Sequence, residues 1–349
     1  MTSNIQKIES PSTKDIVLIN ISNDNNHTVS ITNYGGIVHS WHCPDDQGNI
    51  SDILLGCENI LDYQNSHPYF GAVVGRYANR IAFGKFIING VEYVLATNNP
   101  PHHLHGGNVG FDKKIWDYQM IENIDAITVV LKYASSDMEE GYPGSLSIKV
   151  VYTFDNQGRL TIEYEATTDR ATHINLTNHC YFNLNSDNNS TILDHHLQIN
   201  ASTITETDET LIPTGNIKEI ISSNLDFTKM TEIGLRIKND DPELNKANGY
   251  DHNYIITDSN IDSLAATVHH PKSNRRLQVY TTEPGIQLYT GNWLEDVDGK
   301  HGKYKNYSGL CLETQHYPDS PNHPSFPSTL LLPDETYHSK TIYKIDLIP

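Results

Sequence analysis

The runs Leu146–Phe154 and Leu160–Ala166 constrain the fold more than any other stretch of the chain. Leu146, Ile148, Val150, Tyr152 and Phe154 mark one period of two, and Leu160, Ile162, Tyr164 and Ala166 mark another. That is the spacing of strands with one buried and one wet face. Between them Asp155-Asn156-Gln157-Gly158-Arg159 supplies turn residues, so the pair reads as an antiparallel hairpin. Similar short β-branched or aromatic runs recur at Ile16–Ile19, Phe86–Leu95, Ala126–Tyr133, His196–Ile199, Leu264–Val268, Leu277–Tyr280 and Lys340–Leu347. Helical periodicity is confined to short pieces near Glu58–Gln64 and Met230–Ile237. Many strands without alternating helices argue against a doubly wound or (β/α)8 fold. They predict an all-β chain, a large antiparallel β-sandwich with few short helices. No fixed-period repeat or linker divides the 349 residues, so one domain over 1–349 is expected.

Composition narrows the function. Hydrophobic residues make up 37%, with 20 Tyr, 8 Phe and 3 Trp, enough to fill a core. The 24 basic and 43 acidic residues leave a net charge of -19, which repels phosphate backbones and anionic lipid. A nucleic-acid or membrane-surface role is therefore not expected, and a phosphosugar is disfavoured. No apolar stretch is long enough to span a bilayer. Cys43, Cys57, Cys180 and Cys311 are scattered, without C-x-x-C or zinc-like spacing, as in a reduced compartment. Met1–Ile16 lacks the apolar core of a signal peptide, so a cytoplasmic protein is expected.

Four polar segments are too rich in hydrogen-bonding side chains for ordinary strand faces or loops. They are Gly75–Ile81, Asn98–Gly107 with the nearby Gly110-Phe111-Asp112 and Trp116, Asn175–Leu184, and Glu313–Asn322. Tyr250–Tyr254 and Glu283–Tyr289 join them. Sugar hydroxyls both donate and accept, so a carbohydrate pocket needs Asn, Gln, Asp, His and Arg edges with aromatic faces for the ring. Proton transfer on a sugar also needs an acid and a base. Histidine titrates near working pH, and burial can raise a carboxylate's proton affinity. Glu313, after Leu310-Cys311-Leu312, is the strongest candidate on these grounds, because an apolar strand end desolvates it. Duller readings stand beside these. His39, His42, His102, His103 and His105 match no zinc spacing, so no metal is assigned. Arg76 and Arg80 can pair with surplus carboxylates, Gly106-Gly107 can be a turn, and Phe182 and Trp116 can be core.

Together and in order, these segments resemble the aldose 1-epimerase (galactose mutarotase) family. The matching pieces run from Asn33-Tyr34-Gly35-Gly36 through Gly75–Ile81, His103–Gly107, Asn175–Leu184, Tyr250–Tyr254, Glu283–Leu294 and Glu313–Phe326. They finish near Leu332-Pro333 and Tyr337. The resemblance implies the family's supersandwich of antiparallel sheets. It also implies interconversion of α and β anomers of a free aldohexose such as galactose or glucose, without a cofactor. By the same resemblance His179, in Asn-His-x-Tyr-Phe-Asn, is the general acid and Glu313, in Glu-Thr-Gln, the general base. Asn79, Arg80, His105, Tyr181, Asp251 and Gln287 fall at substrate-binding positions. The implied partner is a monosaccharide, acted on by a monomer or homodimer.

The chain departs from the family pattern at three places. Cys180 stands where a small hydroxyl residue is usual, next to the implied acid and able to make the site thiol-sensitive. Pro100-Pro101-His102-His103 stiffens the approach to His105. Asp334 replaces a common Gly. Rival readings are a hexose-6-phosphate epimerase, which needs converging basic side chains, and a sugar-binding module lacking acid or base. A third is a glycosidase using two carboxylates such as Asp251 and Glu313.

Overall fold

The computed structural model describes residues 1–185, 190–300 and 302–348. The hairpin forms as expected, from strands Leu146–Asp155 and Arg159–Thr168, with Leu146 opposite Thr168 and Phe154 opposite Leu160. Its turn is closed by chemistry visible in the sequence. Asp155 Oδ1 accepts the backbone N–H of Gln157 at 2.8 Å and of Arg159 at 3.1 Å, and Gly158 takes a φ of +68°.

This hairpin lies inside a nine-stranded sheet. Across that sheet the order is Asp117–Glu122, Ala126–Ser135, the two hairpin strands, Tyr337–Leu347, Arg275–Thr281, Leu264–His269, His196–Ile199 and Thr231–Glu232. A six-stranded sheet runs Tyr181–Phe182, Leu310–Gln315, Gly285–Tyr289, Asp251–Ile255, Thr203–Thr207 and Pro213–Glu219. A five-stranded sheet takes the first 52 residues, from Thr2–Ile8 to Ile50–Asp52. One buried apolar cluster joins all three. It contains Trp41 from the five-stranded sheet, Phe154 and Tyr343 from the nine-stranded sheet, and Leu310 and Leu312 from the six-stranded sheet. Trp41 meets Phe154 edge-on at 5.8 Å. Each such large side chain contributes about 1.5–3 kcal/mol on burial. The all-β expectation therefore matches, because the alternation it rested on is what lets each sheet bury one face.

Local readings differ in three places. Phe86–Leu95 is two strands, Lys85–Ile88 and Val91–Val94. They turn at Asn89-Gly90, whose φ angles of +51° and +80° are those of a two-residue hairpin. The helical pieces shrink to 3-10 turns at Ile60–Gln64 and Ile233–Leu235, the second preceded by strand Thr231–Glu232. The α-helix lies instead at Pro242–Ala247, where Asp241 accepts the Glu243 N–H at 2.9 Å and Pro242 opens the first turn. Thr2–Ile8 is an edge strand paired to Ile16–Ser22 and mostly exposed, so it carries no alternation to read. No helix among the described residues is long and apolar enough to cross a membrane.

Candidate active site

The six-stranded sheet sets out its polar side chains in two neighbouring rows on one face. Directly opposed residues share a face, as do residues two apart on a strand. Strand Leu310–Gln315 is buried throughout. Leu310 and Leu312 enter the main core, so Cys311 and Glu313 point the other way. Register then aligns Tyr181, Cys311, Tyr289 and Asp251 in one row, and Glu313, Gln287 and Asn253 in the next. Gln287 Nε2 donates to Asp251 Oδ1 at 2.6 Å and holds that carboxylate in place.

Irregular backbone brings the remaining groups over these rows. Arg80–Ile81 pairs with His103–Leu104, and beyond this short ladder Asn79 and His105 lock together. The His105 N–H donates to Asn79 O, and the Asn79 N–H donates to His105 Nδ1, both at 3.1 Å. Both residues take positive φ, +64° and +50°. The next residue must be glycine, since a Cβ on Gly106 would lie 1.8 Å from Gly75 O. His179 is tied down by its own N–H to Ala72 O at 2.9 Å and by the Gly71 N–H to its O at 3.0 Å. Tyr181 stacks on its ring at 4.9 Å and Tyr69 at 5.9 Å, both nearly parallel.

The result is a cavity of about 220 Å³ lined by Tyr69, Asn79, Arg80, Asn99, His105, His179, Tyr181, Asp251, Tyr289, Trp293 and Glu313, with Pro68 and Leu104. That is smaller than the roughly 300–1,000 Å³ of drug-sized pockets and suits one small polar molecule. Larger, more open clefts of about 500 and 490 Å³ lie elsewhere, and their linings contain no histidine. Inside the smaller cavity His179 Nε2 and Glu313 Oε2 face each other at 3.7 Å. That is too long for a direct hydrogen bond, but each atom is placed to reach an oxygen of a shared ligand. Glu313 is 2% exposed, and its Oε2 has no hydrogen-bond partner among the described residues.

Electrostatics treat the two groups alike. Burial, reinforced by the Asp251 carboxylate and opposed by Arg80, raises the Glu313 pKa well above the ordinary carboxylate value. Burial lowers His179 to about 3. Both shifts favour the neutral form of a desolvated group. Burial, His179 and Arg80 also push His105 well below the ordinary histidine value, so it stays neutral. Its Nδ1 accepts the Asn79 N–H, so the ring proton sits on Nε2 and His105 serves the cavity as a donor. Arg80 Nη1 stands 3.8 Å from Asp251 Oδ2.

The donor chemistry also speaks to metals. His105, His179 and Glu313 each offer an atom within 4.8 Å of the others. A cation on His105 Nε2 would force a proton onto Nδ1, against the Asn79 N–H. The same holds at Asp194, His195 and His270, where His195 Nε2 accepts the Leu184 N–H at 2.9 Å. Neither group fits a three-ligand metal centre.

Comparison with known proteins decides the lineage. The aldose 1-epimerase family model matches residues 17–344. The chain belongs to the aldose 1-epimerase family. It is 44% identical to the galactose mutarotase of Sus scrofa over 90% of this chain and 89% of that protein. It is 34% identical to the aldose 1-epimerase of Escherichia coli K12 over 94% of each. The crystal structure of galactose 1-epimerase from Lactobacillus acidophilus superimposes with a TM-score of 0.89 at 29% identity, covering 99% of both chains.

Of the eight site residues named from this family's motifs, seven line the one cavity: Asn79, Arg80, His105, His179, Tyr181, Asp251 and Glu313. Gln287 stands behind Asp251. Sequence reasoning missed Tyr69 and Trp293. Tyr289, two residues beyond Gln287 on the same strand face, was within reach of the period-two rule. Neighbouring motif residues turn out to be structural. His103 is bonded to Ala96 O at 2.7 Å and to Tyr142 Oη at 2.6 Å, and His102 to Thr210 Oγ1 at 2.9 Å. Arg76 pairs with no carboxylate among the described residues. Its buried guanidinium donates instead to Pro143 O and Gly144 O at 2.9 Å and to Ser135 Oγ at 2.6 Å. Cys180 turns into the main core, and the thiol that touches His179 is Cys311, at 3.4 Å. Asp334 has a φ of +69°, the conformation for which glycine is common at that point.

Proposed function

We propose that this chain is a single aldose 1-epimerase domain that interconverts the α and β anomers of free aldohexoses such as galactose and glucose. The observation that carries this reading is the facing of His179 Nε2 and Glu313 Oε2 across a small polar cavity. Anomerisation moves protons at two oxygens attached to one carbon. Glu313 removes the proton from the C1 hydroxyl while His179 donates to the ring oxygen, and the ring opens to the aldehyde. The C1–C2 bond rotates, and closure on the other face returns both protons. Arg80, Asn79 and Asp251 hold the hydroxyls, Gln287 steadies Asp251, Tyr181 backs the His179 ring, and the His105 Nε2–H donates to a sugar oxygen.

The pair carries one mobile proton. Burial favours neutral Glu313 with neutral His179, which is the distribution left when the open-chain aldehyde has formed. A bound sugar that hydrogen-bonds the carboxylate, together with Arg80, moves that proton to His179 and sets up ring opening. Among the described residues Arg80 is the only Arg or Lys lining the cavity, and it already faces Asp251, which favours an uncharged sugar over a hexose phosphate. The four cysteines are free and buried, in keeping with the cytoplasmic reading.

Polarimetry tests the activity. Freshly dissolved α-galactose and α-glucose should reach their equilibrium rotation faster with the protein, whereas a methyl galactoside, which has no free C1 hydroxyl, should be unchanged. No acceleration with either free sugar, or cleavage of the glycoside, overturns the reading.

The pH dependence follows from the shifts. His179 takes up a second proton for the pair only near pH 3, and the last proton leaves Glu313 well above the ordinary 4.5. The one-proton pair therefore extends well below pH 6.5, down toward pH 3, and its upper boundary lies above the ordinary carboxylate value. kcat/KM is expected to show no acid limb near 6.5: its acid limb lies near pH 3, and its alkaline limb, above the ordinary carboxylate range, marks loss of the pair's last proton. An acid limb with an apparent pKa near 6.5 contradicts this.

A further inference from the structure

We propose that Cys311 is a positioning residue whose sulfur accepts the Nδ1–H of His179, so that Nε2 is the atom that exchanges a proton with the sugar. The inference rests on reading His179 as the acid of mutarotation. Cys311 Sγ lies 3.4 Å from His179 Nδ1, and both residues are buried. The ring has little freedom to choose another arrangement, because Tyr181 and Tyr69 stack on it and His105 meets it edge-on at 5.2 Å. The sulfur on the Nδ1 side and the cavity on the Nε2 side give the imidazole a fixed direction.

The sulfur differs from the usual histidine partner in one useful way. A carboxylate at this position would stabilise the imidazolium and make His179 a poor donor to a ring oxygen. Burial keeps the Cys311 thiol protonated and uncharged. A neutral sulfur accepts weakly, so it orients the ring while leaving Nε2–H strongly acidic. During ring opening the Nε2 proton passes to the sugar, the Nδ1 proton stays on nitrogen and hydrogen-bonded to the sulfur, and the imidazole is left neutral. Closure restores the proton to Nε2. Cys180, adjacent in sequence, cannot take this part because it faces the core.

Long-range ¹H–¹⁵N spectra of the full chain labelled at histidine report the tautomer directly, with His179 assigned by the signals lost in His179→Asn. The wild type is expected to show the Nδ1–H tautomer near neutral pH. Cys311→Ala should shift His179 toward a mixture with Nε2–H. It should also lower kcat on α-galactose roughly fivefold to tenfold, the bias that one hydrogen bond of ordinary net strength supplies, with KM little changed. Cys311→Ser, whose hydroxyl also accepts, should restore the tautomer and bring kcat to within about twofold of wild type. An Nε2–H tautomer in the wild type overturns the proposal. So does a Cys311→Ala protein with unchanged tautomer and kcat, or a serine variant as slow as the alanine one. Should Cys311→Ala fail to fold by circular dichroism, the wild-type tautomer and the serine variant still decide. A wild type without mutarotation would defeat the functional reading and leave the tautomer result standing on its own.

Discussion

Glu313→Gln is expected to lower the mutarotation rate about 10²-fold or more while leaving the protein folded and at least as stable. The amide keeps the shape of the carboxyl group and cannot accept the C1 proton. Its effect on stability follows from the direction of the Glu313 shift. In the unfolded chain the group ionises near 4.5, and in the folded protein it ionises well above that. The folded state therefore holds more protons between those two values, and wild-type stability falls as pH rises through that interval. Glutamine carries no such penalty. Thermal unfolding near pH 7 should place the Glu313→Gln midpoint at or above that of wild type, with the difference closing below about 4.5. A variant that mutarotates at close to the wild-type rate, or that melts far below wild type at neutral pH, contradicts the role given to this carboxyl group.

His179→Asn is expected to lose about 10²-fold or more in rate as well, with a different signature in stability. The imidazole stacks between Tyr181 and Tyr69 and touches His105 edge-on. Replacing it removes those ring contacts and costs about 1–2 kcal/mol, so the melting point should fall by several degrees while the circular dichroism spectrum is kept. Glu313 and His179 would thus lose similar catalytic power while moving stability in opposite directions. Uniform damage from unfolding could not produce that contrast. Near wild-type activity in His179→Asn would remove it from the proton-transfer pair.

The sequence showed the sheets more readily than the details that join them. The Leu146–Ala166 hairpin was legible because one face is buried and the turn carries Asp155 and Gly158 where the backbone needs them. Thr2–Ile8 was not, since an exposed edge strand has no hydrophobic period to display. The Asn89-Gly90 turn was present in the sequence but hidden inside an unbroken run of strand-forming residues. At the site, the family motifs marked the segments that line the cavity. Composition and spacing could not say which residues of each segment enter it. Period two separates Cys311 and Glu313 from Leu310 and Leu312 once the core side is known, and the same rule turns Cys180 away between His179 and Tyr181. His102 is taken up by a hydrogen bond to Thr210 and His103 by bonds to Ala96 and Tyr142, so only His105 of that cluster reaches the cavity. Tyr69 gave no local signal. Its position depends on a chain reversal with positive φ and on contacts with histidines far away in sequence.

The most direct measurement compares polarimetric rates of wild type, Glu313→Gln, His179→Asn and the double variant on freshly dissolved α-galactose. Groups that pass one proton between them act as a unit, so the double variant should be slower than the slower single variant by no more than about threefold. A double variant whose loss equals the product of the two single losses would mean that the carboxyl and the imidazole work independently, and no shared proton would join them.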